Sequence, residues 1–126
     1  MRHSALILAF LAPLAAALAG CESKQDSGTV VGGIVGNEIG RQLDVRDRQL
    51  AQQAEMDAWE RGPPGRPVRW RNPDNGRYGE VVAEDYYDRG GVRCRDFIHR
   101  VWIDGRPQQM RGTACRNPDG TWSQVA

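Results

Sequence analysis

The sequence is poor in the groups that active-site chemistry usually draws on. Histidine occurs only twice in 126 residues, and one of the two, His3, lies in an apolar leader. There is no phosphate loop, dinucleotide fingerprint or nucleophile elbow. No pair of carboxylates stands out for general acid–base work, and Ser123 has no base near it in sequence. His99 falls within an expected strand and reads as a packed or half-exposed residue, not a catalyst. No enzymatic activity, cofactor or metal is therefore expected. Excess charge of one sign is also missing: 17 Lys+Arg stand against 16 Asp+Glu. That balance gives no electrostatic reason to expect nucleic acid as a partner. Long helix cannot dominate either, because 15 glycines and seven prolines interrupt the chain. The length suits one domain, not two.

What is present begins with a leader. Residues 1–20 carry one cation, Arg2, then an apolar run from Ala5 to Ala19 broken only by Pro13, with no acidic residue before Glu22. This is the layout of a secretory signal, and it is short for a membrane span, which needs about 20 apolar residues. The run ends in Leu18-Ala19-Gly20-Cys21, which resembles the bacterial lipobox. The resemblance implies cleavage between Gly20 and Cys21, a diacylglyceryl thioether on Cys21 and an acyl chain on its new amino group. The alternative is an ordinary signal with an incidental thiol, which sits awkwardly in an oxidising compartment. Several acyl chains make an anchor nearly permanent, at about 0.8 kcal/mol per buried CH₂. By analogy with Gram-negative lipoproteins, the lack of Asp after the cysteine favours the outer membrane.

Residues 21–42 form a lipidated tether and a glycine-rich segment. Gly28, Gly32, Gly36 and Gly40 recur at a spacing of four, which on a helix places them on nearly one face. Such a face allows close helix–helix approach in lipid, or self-association. Yet 28–40 would span only about 20 Å as helix, and Asn37 and Glu38 interrupt it. A flexible tether is the competing and favoured reading. Residues 43–61 lack Gly and Pro and read as a helix with a weak apolar stripe. A linker, 62–67, contains Gly62-Pro63-Pro64-Gly65 and ends it.

The remainder, 68–126, is mainly β. Expected strands are 68–71, 78–87, 92–103, 106–116 and 121–125, each rich in β-branched or aromatic residues. The turns between them are Asn72–Gly76, Asp88–Gly91, Asp104-Gly105 and Asn117–Gly120. Short connections imply an antiparallel meander, a small five-stranded sheet or sandwich. The motif Arg71-Asn72-Pro73-Asp74 recurs as Arg116-Asn117-Pro118-Asp119. Both copies read as turns, since their spacing matches no calcium loop.

Asp104-Gly105 favours a type I′ turn, with Ile103 opposite Arg106. Paired residue numbers then add to 209, and Cys94 with Cys115 satisfies that sum. The pair falls at a non-hydrogen-bonded position, where Cα atoms lie about 4.5 Å apart and a disulfide is possible. A loop of that size is worth roughly 3 kcal/mol. A redox or metal role for the pair lacks CxxC spacing and neighbouring ligands. On this hairpin one face carries Phe97, Val101, Ile103, Met110 and Ala114, and the other the cysteines, Ile98, Trp102, Arg100 and Arg111. Both are partly apolar, which favours a sandwich or rolled sheet. Trp70, Tyr78, Tyr86, Tyr87, Trp102 and Trp122 invite a binding face, although so small a domain must bury most of them. Arg93, Arg95, Arg100, Arg106, Arg111 and Arg116 crowd the same hairpin. They make either a face for anionic lipid or lipopolysaccharide or, preferably, a solvated salt-bridged surface.

Three blocks of the C-terminal half, Val68–Asp74, Cys94–Phe97 and Gly112–Trp122, together with Leu43–Arg48, the lipobox and the glycine spacing, resemble the rickettsial seventeen-kilodalton surface antigen family, whose related lipoproteins carry glycine zippers. The resemblance runs over nearly all of the mature chain. It implies a lipid-anchored outer-membrane protein with an exported β-domain and a structural or interaction role in the envelope. It also implies partners in outer-membrane lipid, outer-membrane proteins or a second copy through the glycine segment. Family members often carry two longer apolar glycine segments, whereas this chain has one short one. The alternative expectation is a periplasmic binding or inhibitor module tethered by lipid.

Overall fold

The computed structural model describes residues 33–126. The signal sequence, Cys21, Gly28 and Gly32 lie outside the described residues. The described chain opens with a 3-10 turn, Gly33–Gly36, and two helices, α1 (Glu38–Arg41) and α2 (Val45–Arg61). Five strands follow: β1 (Pro67–Arg71), β2 (Tyr78–Arg89), β3 (Val92–Ile103), β4 (Arg106–Arg116) and β5 (Trp122–Gln124). They form one antiparallel sheet in the order β1-β2-β3-β4-β5, the meander that the short turns imply.

The register between β3 and β4 keeps the sum of 209 along the hairpin, from Ile103↔Arg106 to Cys94↔Cys115. Asp104 and Gly105 both have positive φ, as type I′ geometry requires. Cys94 and Cys115 are joined by a disulfide with Cα atoms 4.0 Å apart. Between Ala83 and Tyr86 the β2–β3 register shifts, leaving two residues of β2 against Asp96 alone. A bulge of this kind strengthens local twist and bends the strand.

The helix begins two residues later than expected because Asp44 caps it. The Asp44 side chain accepts from the Asp47 N–H, and the Asp47 side chain accepts from the Asp44 N–H. That reciprocal pair is a capping box. The C-terminal Gly62 leaves helical geometry in extended conformation, and Gly65 N–H donates to Ala83 O on β2.

One core holds the described chain together. Helix α2 lays Ala51, Ala54, Ala58 and Trp59 against Trp70, Val81, Phe97, Val101 and Met110 of the sheet. Ile34, Ile39 and Leu43 close its N-terminal side. The sandwich alternative is not taken, since among the described residues the second face of the sheet has no layer over it. Its apolar groups cover one another instead: Tyr78 stacks on Trp102 with ring centroids 4.9 Å apart. Residues 33–43 belong to the packed body and do not hang from it.

Candidate functional site

The buried face of α2 explains why its apolar stripe looked weak. Alongside its alanines it carries two acids, Asp47 and Glu55, both fully buried. Each meets a polar group presented by the sheet or its turns.

Asp47 anchors the first Asn-Pro-Asp turn. Asn72 Nδ2 donates to Asp47 Oδ1 at 2.7 Å, Asn75 Nδ2 donates to the same oxygen at 3.0 Å, and Arg77 Nη1 reaches Oδ2 at 2.8 Å. Burial pushes the carboxyl up, but hydrogen bonds from Arg77, Asn72, Asn75 and the Asp44 N–H outweigh it and hold the pKa at about 2. The second copy of the motif closes on itself, with Asn117 N–H donating to Thr121 O and Asp119 accepting from Thr121. The two copies share turn chemistry but differ in what they hold.

Glu55 lies at the middle of α2. His99 Nδ1 is 2.9 Å from Glu55 Oε2, and Trp70 Nε1 donates to His99 Nε2 at 3.0 Å. An indole N–H can only donate, so Nε2 accepts and the proton of the neutral ring sits on Nδ1, aimed at Glu55. The carboxylate also accepts the backbone N–H of Ile34 at 2.9 Å. Both ring nitrogens are engaged, and neither His99 nor Glu55 reaches solvent. The pair holds α2, β1, β3 and the 33–34 segment together. It offers no free nitrogen to a substrate.

Arg95 is buried completely at the C-terminal end of α2. Its Nη1 donates to Ala58 O at 2.7 Å and to Trp59 O at 3.3 Å, and its Nε to Glu84 O at 2.8 Å. The first two are terminal helix carbonyls, where a cation complements the helix dipole. The third is freed by the β2 bulge. Its guanidinium also lies 4.0 Å from the centre of the Tyr86 ring. Tyr86 in turn donates its hydroxyl to Glu60 O.

These placements divide the residues that the sequence grouped. Of the six hairpin arginines, Arg95 is interior, and Arg100 pairs with Glu80 at 3.5 Å. Arg100 and Arg111 point to the uncovered face, while Arg93 and Arg116 lie at the far end of the hairpin and Arg106 beside its turn. They form no single basic face. Gly36 ends the 3-10 turn and Gly40 sits in α1, with Asn37 between them as the α1 N-cap, so the two do not share one continuous helix. A Cβ on Gly40 would lie 2.1 Å from Ile34 O, and one on Gly33 would lie 2.2 Å from Glu55 Oε1. Gly36 has open space around it. Trp70 and Trp122 are buried, Tyr86 and Trp102 half-buried, and Tyr78 and Tyr87 exposed. Among the described residues no three His, Cys, Asp or Glu side chains converge to hold a metal ion. No helix among them is long and apolar enough to cross a membrane.

The sequence reading missed Asp47, Glu55, Asn72 and Arg95 as a buried polar set. The available signal was two acids eight residues apart in a helix with few large apolar residues, which places them on one face.

Residues 57–123 match the model of a family described as 17 kDa outer membrane surface antigen. The 17 kDa surface antigen of Rickettsia bellii is 44% identical over 132 aligned residues, covering 82% of this chain and 83% of the relative. That of Rickettsia conorii is 44% identical over 84 residues, covering 66% of this chain and 53% of the relative. The Rickettsia felis protein is 43% identical over the same span. No solved structure matches the chain.

Proposed function

The chain belongs to the 17 kDa surface antigen family, and from that premise we propose that it is an outer-membrane lipoprotein with a structural or interaction role in the envelope. The observation that carries this reading is the extent of the likeness. It covers most of both chains, so it includes more than the β-sheet. The apolar leader ending at Cys21 supports the lipid anchor. A non-enzymatic role is supported by the engagement of both nitrogens of His99 inside the core.

Docking of Gly33 and Ile34 gives the anchor a mechanical consequence. The stretch from Cys21 to Gly33 reaches at most about 40 Å even when fully extended. Because Ile34 N–H is bound to Glu55, a lipidated Cys21 would keep the edge of the packed body at Gly33 within that distance of the bilayer. In this reading the partners are outer-membrane lipid, through acylated Cys21, and outer-membrane proteins or a second copy, through the glycine segment.

Replacing Cys21 with Ser and fractionating the envelope tests the reading. Wild type should sediment with the outer membrane, and the variant should be lost from it. Equal distribution of both proteins would refute a lipid anchor. A tethered binding module is the second reading, favoured by the uncovered sheet face where Tyr78 stacks on Trp102.

A further inference from the structure

We propose that the open groove between the β2–β3 and β4–β5 turns is a phosphate-binding site built on Arg93 and Arg116. The groove has a volume of about 550 Å³, and both arginines line it.

Its construction follows from the register. The β3–β4 ladder ends at Cys94↔Cys115, and Arg93 and Arg116 are the next residue on each strand, both lining the same groove. Like charges side by side on paired strands repel and are ordinarily avoided. Here the neighbouring disulfide ties the two strands together, so the arginines cannot separate by fraying. Arg93 is further held by Tyr86, whose ring centre lies 4.5 Å from the guanidinium carbon. Tyr86 is itself fixed through its hydroxyl to Glu60 O.

Among the described residues neither arginine has a carboxylate within ion-pair distance or a hydrogen bond. Asp88 is opposite Arg93 in the β2–β3 ladder yet forms no ion pair with it. Asp119, in the turn beside Arg116, accepts instead from the N–H and hydroxyl of Thr121. Gly91 and Gly120 add no side chain to the groove, whose remaining lining is Val92, Asn117 and Pro118. Two neighbouring guanidiniums with unfilled donors, facing an open groove, suit a tetrahedral phosphate anion whose oxygens accept from both. The ligand class is a phosphate group, whether soluble or on a lipid headgroup.

The test uses the full chain in detergent and follows the Arg Nε–H and Gly91 and Gly120 amide resonances by NMR. Inorganic phosphate should shift the signals of Arg93, Arg116 and the two glycines, and chloride at equal ionic strength should not. Arg93→Gln with Arg116→Gln should weaken phosphate binding by roughly tenfold or more, while the charge-keeping pair of Lys replacements should retain most of it. Both positions are exposed, and unchanged circular dichroism will show that the variants fold. If phosphate leaves the signals unmoved, phosphatidylglycerol vesicles in place of phosphatidylcholine distinguish the source. An arginine-dependent response only to those vesicles assigns the site to headgroups. No response to either probe, or equal binding by the Gln variant, overturns the site.

Discussion

Glu55 on α2 and His99 on β3 meet at 2.9 Å inside the core, and the same carboxylate holds the backbone of Ile34. Removing one side of a buried polar pair leaves the other unsatisfied, which is where the largest losses arise. His99→Phe strands both Glu55 and the Trp70 indole N–H. It should destabilise the protein by about 3 kcal/mol or more, read from urea denaturation. A loss below about 1 kcal/mol would show that the pair does not hold the elements together.

Glu55 also sets a pH dependence. Burial, the largest influence, raises its carboxyl above the ordinary 4.5, and the interactions with His99 and the Ile34 N–H pull the other way without offsetting it. The folded state therefore takes up a proton more readily than the unfolded chain. That contribution is fully present below pH 4.5 and is lost as pH rises through the raised value. Glu55→Gln removes the titration. Stability of the Gln variant relative to wild type should improve as pH climbs from 4.5 toward neutrality. Parallel stability curves over that span would refute the assignment.

Asp47 titrates with the opposite sign. Its folded pKa of about 2 lies below the ordinary 3.8, so its stabilisation is present above 3.8 and lost as pH falls toward 2. The difference corresponds to roughly 2 kcal/mol at neutral pH. Asp47→Asn should lose about that much at pH 7, and the gap should close in acid. A gap that stays constant down to pH 2 would mean the carboxylate's charge is not what the turn reads.

The glycines of the N-terminal segment separate docking from simple spacing. Gly40→Ala forces a methyl group onto Ile34 O and should cost about 1–3 kcal/mol. Gly36→Ala meets open space and should fall within about 0.5 kcal/mol of wild type. Thermal denaturation of the two variants side by side gives the answer. Equal effects would favour a segment in which all the glycines serve alike.

Replacing both Cys94 and Cys115 with Ser opens a loop of sequence separation 21 and should remove roughly 3 kcal/mol. Reductant should then affect wild type in urea but not the variant. Identical midpoints with and without reductant would argue against a structural bridge.

The sheet was legible because its turns carry explicit chemistry. Asp104-Gly105 defines the β3–β4 register, and Asn72–Gly76 and Asn117–Gly120 mark where strands stop. Strand ends moved by one or two residues, as at β2, which continues to Arg89. The docking of the segment after Gly33 is not visible in sequence, because glycine spacing alone does not reveal a packing partner. Its contacts, Glu55 and Gln124, lie far along the chain. Arg95 looks in sequence like the surface arginines around it, because its acceptors are backbone carbonyls, which carry no sequence signature. The Glu55–His99 pair spans 44 positions, and in sequence each residue looks like a solitary polar group.

Intact mass of the membrane-extracted protein, with and without reductant, tests the lipid-anchored, disulfide-closed reading most directly. The expected mass is that of residues 21–126 plus acyl groups, rising by two protons on reduction as Cys94 and Cys115 separate. A mass without acyl groups would contradict the anchor and leave a free domain in its place.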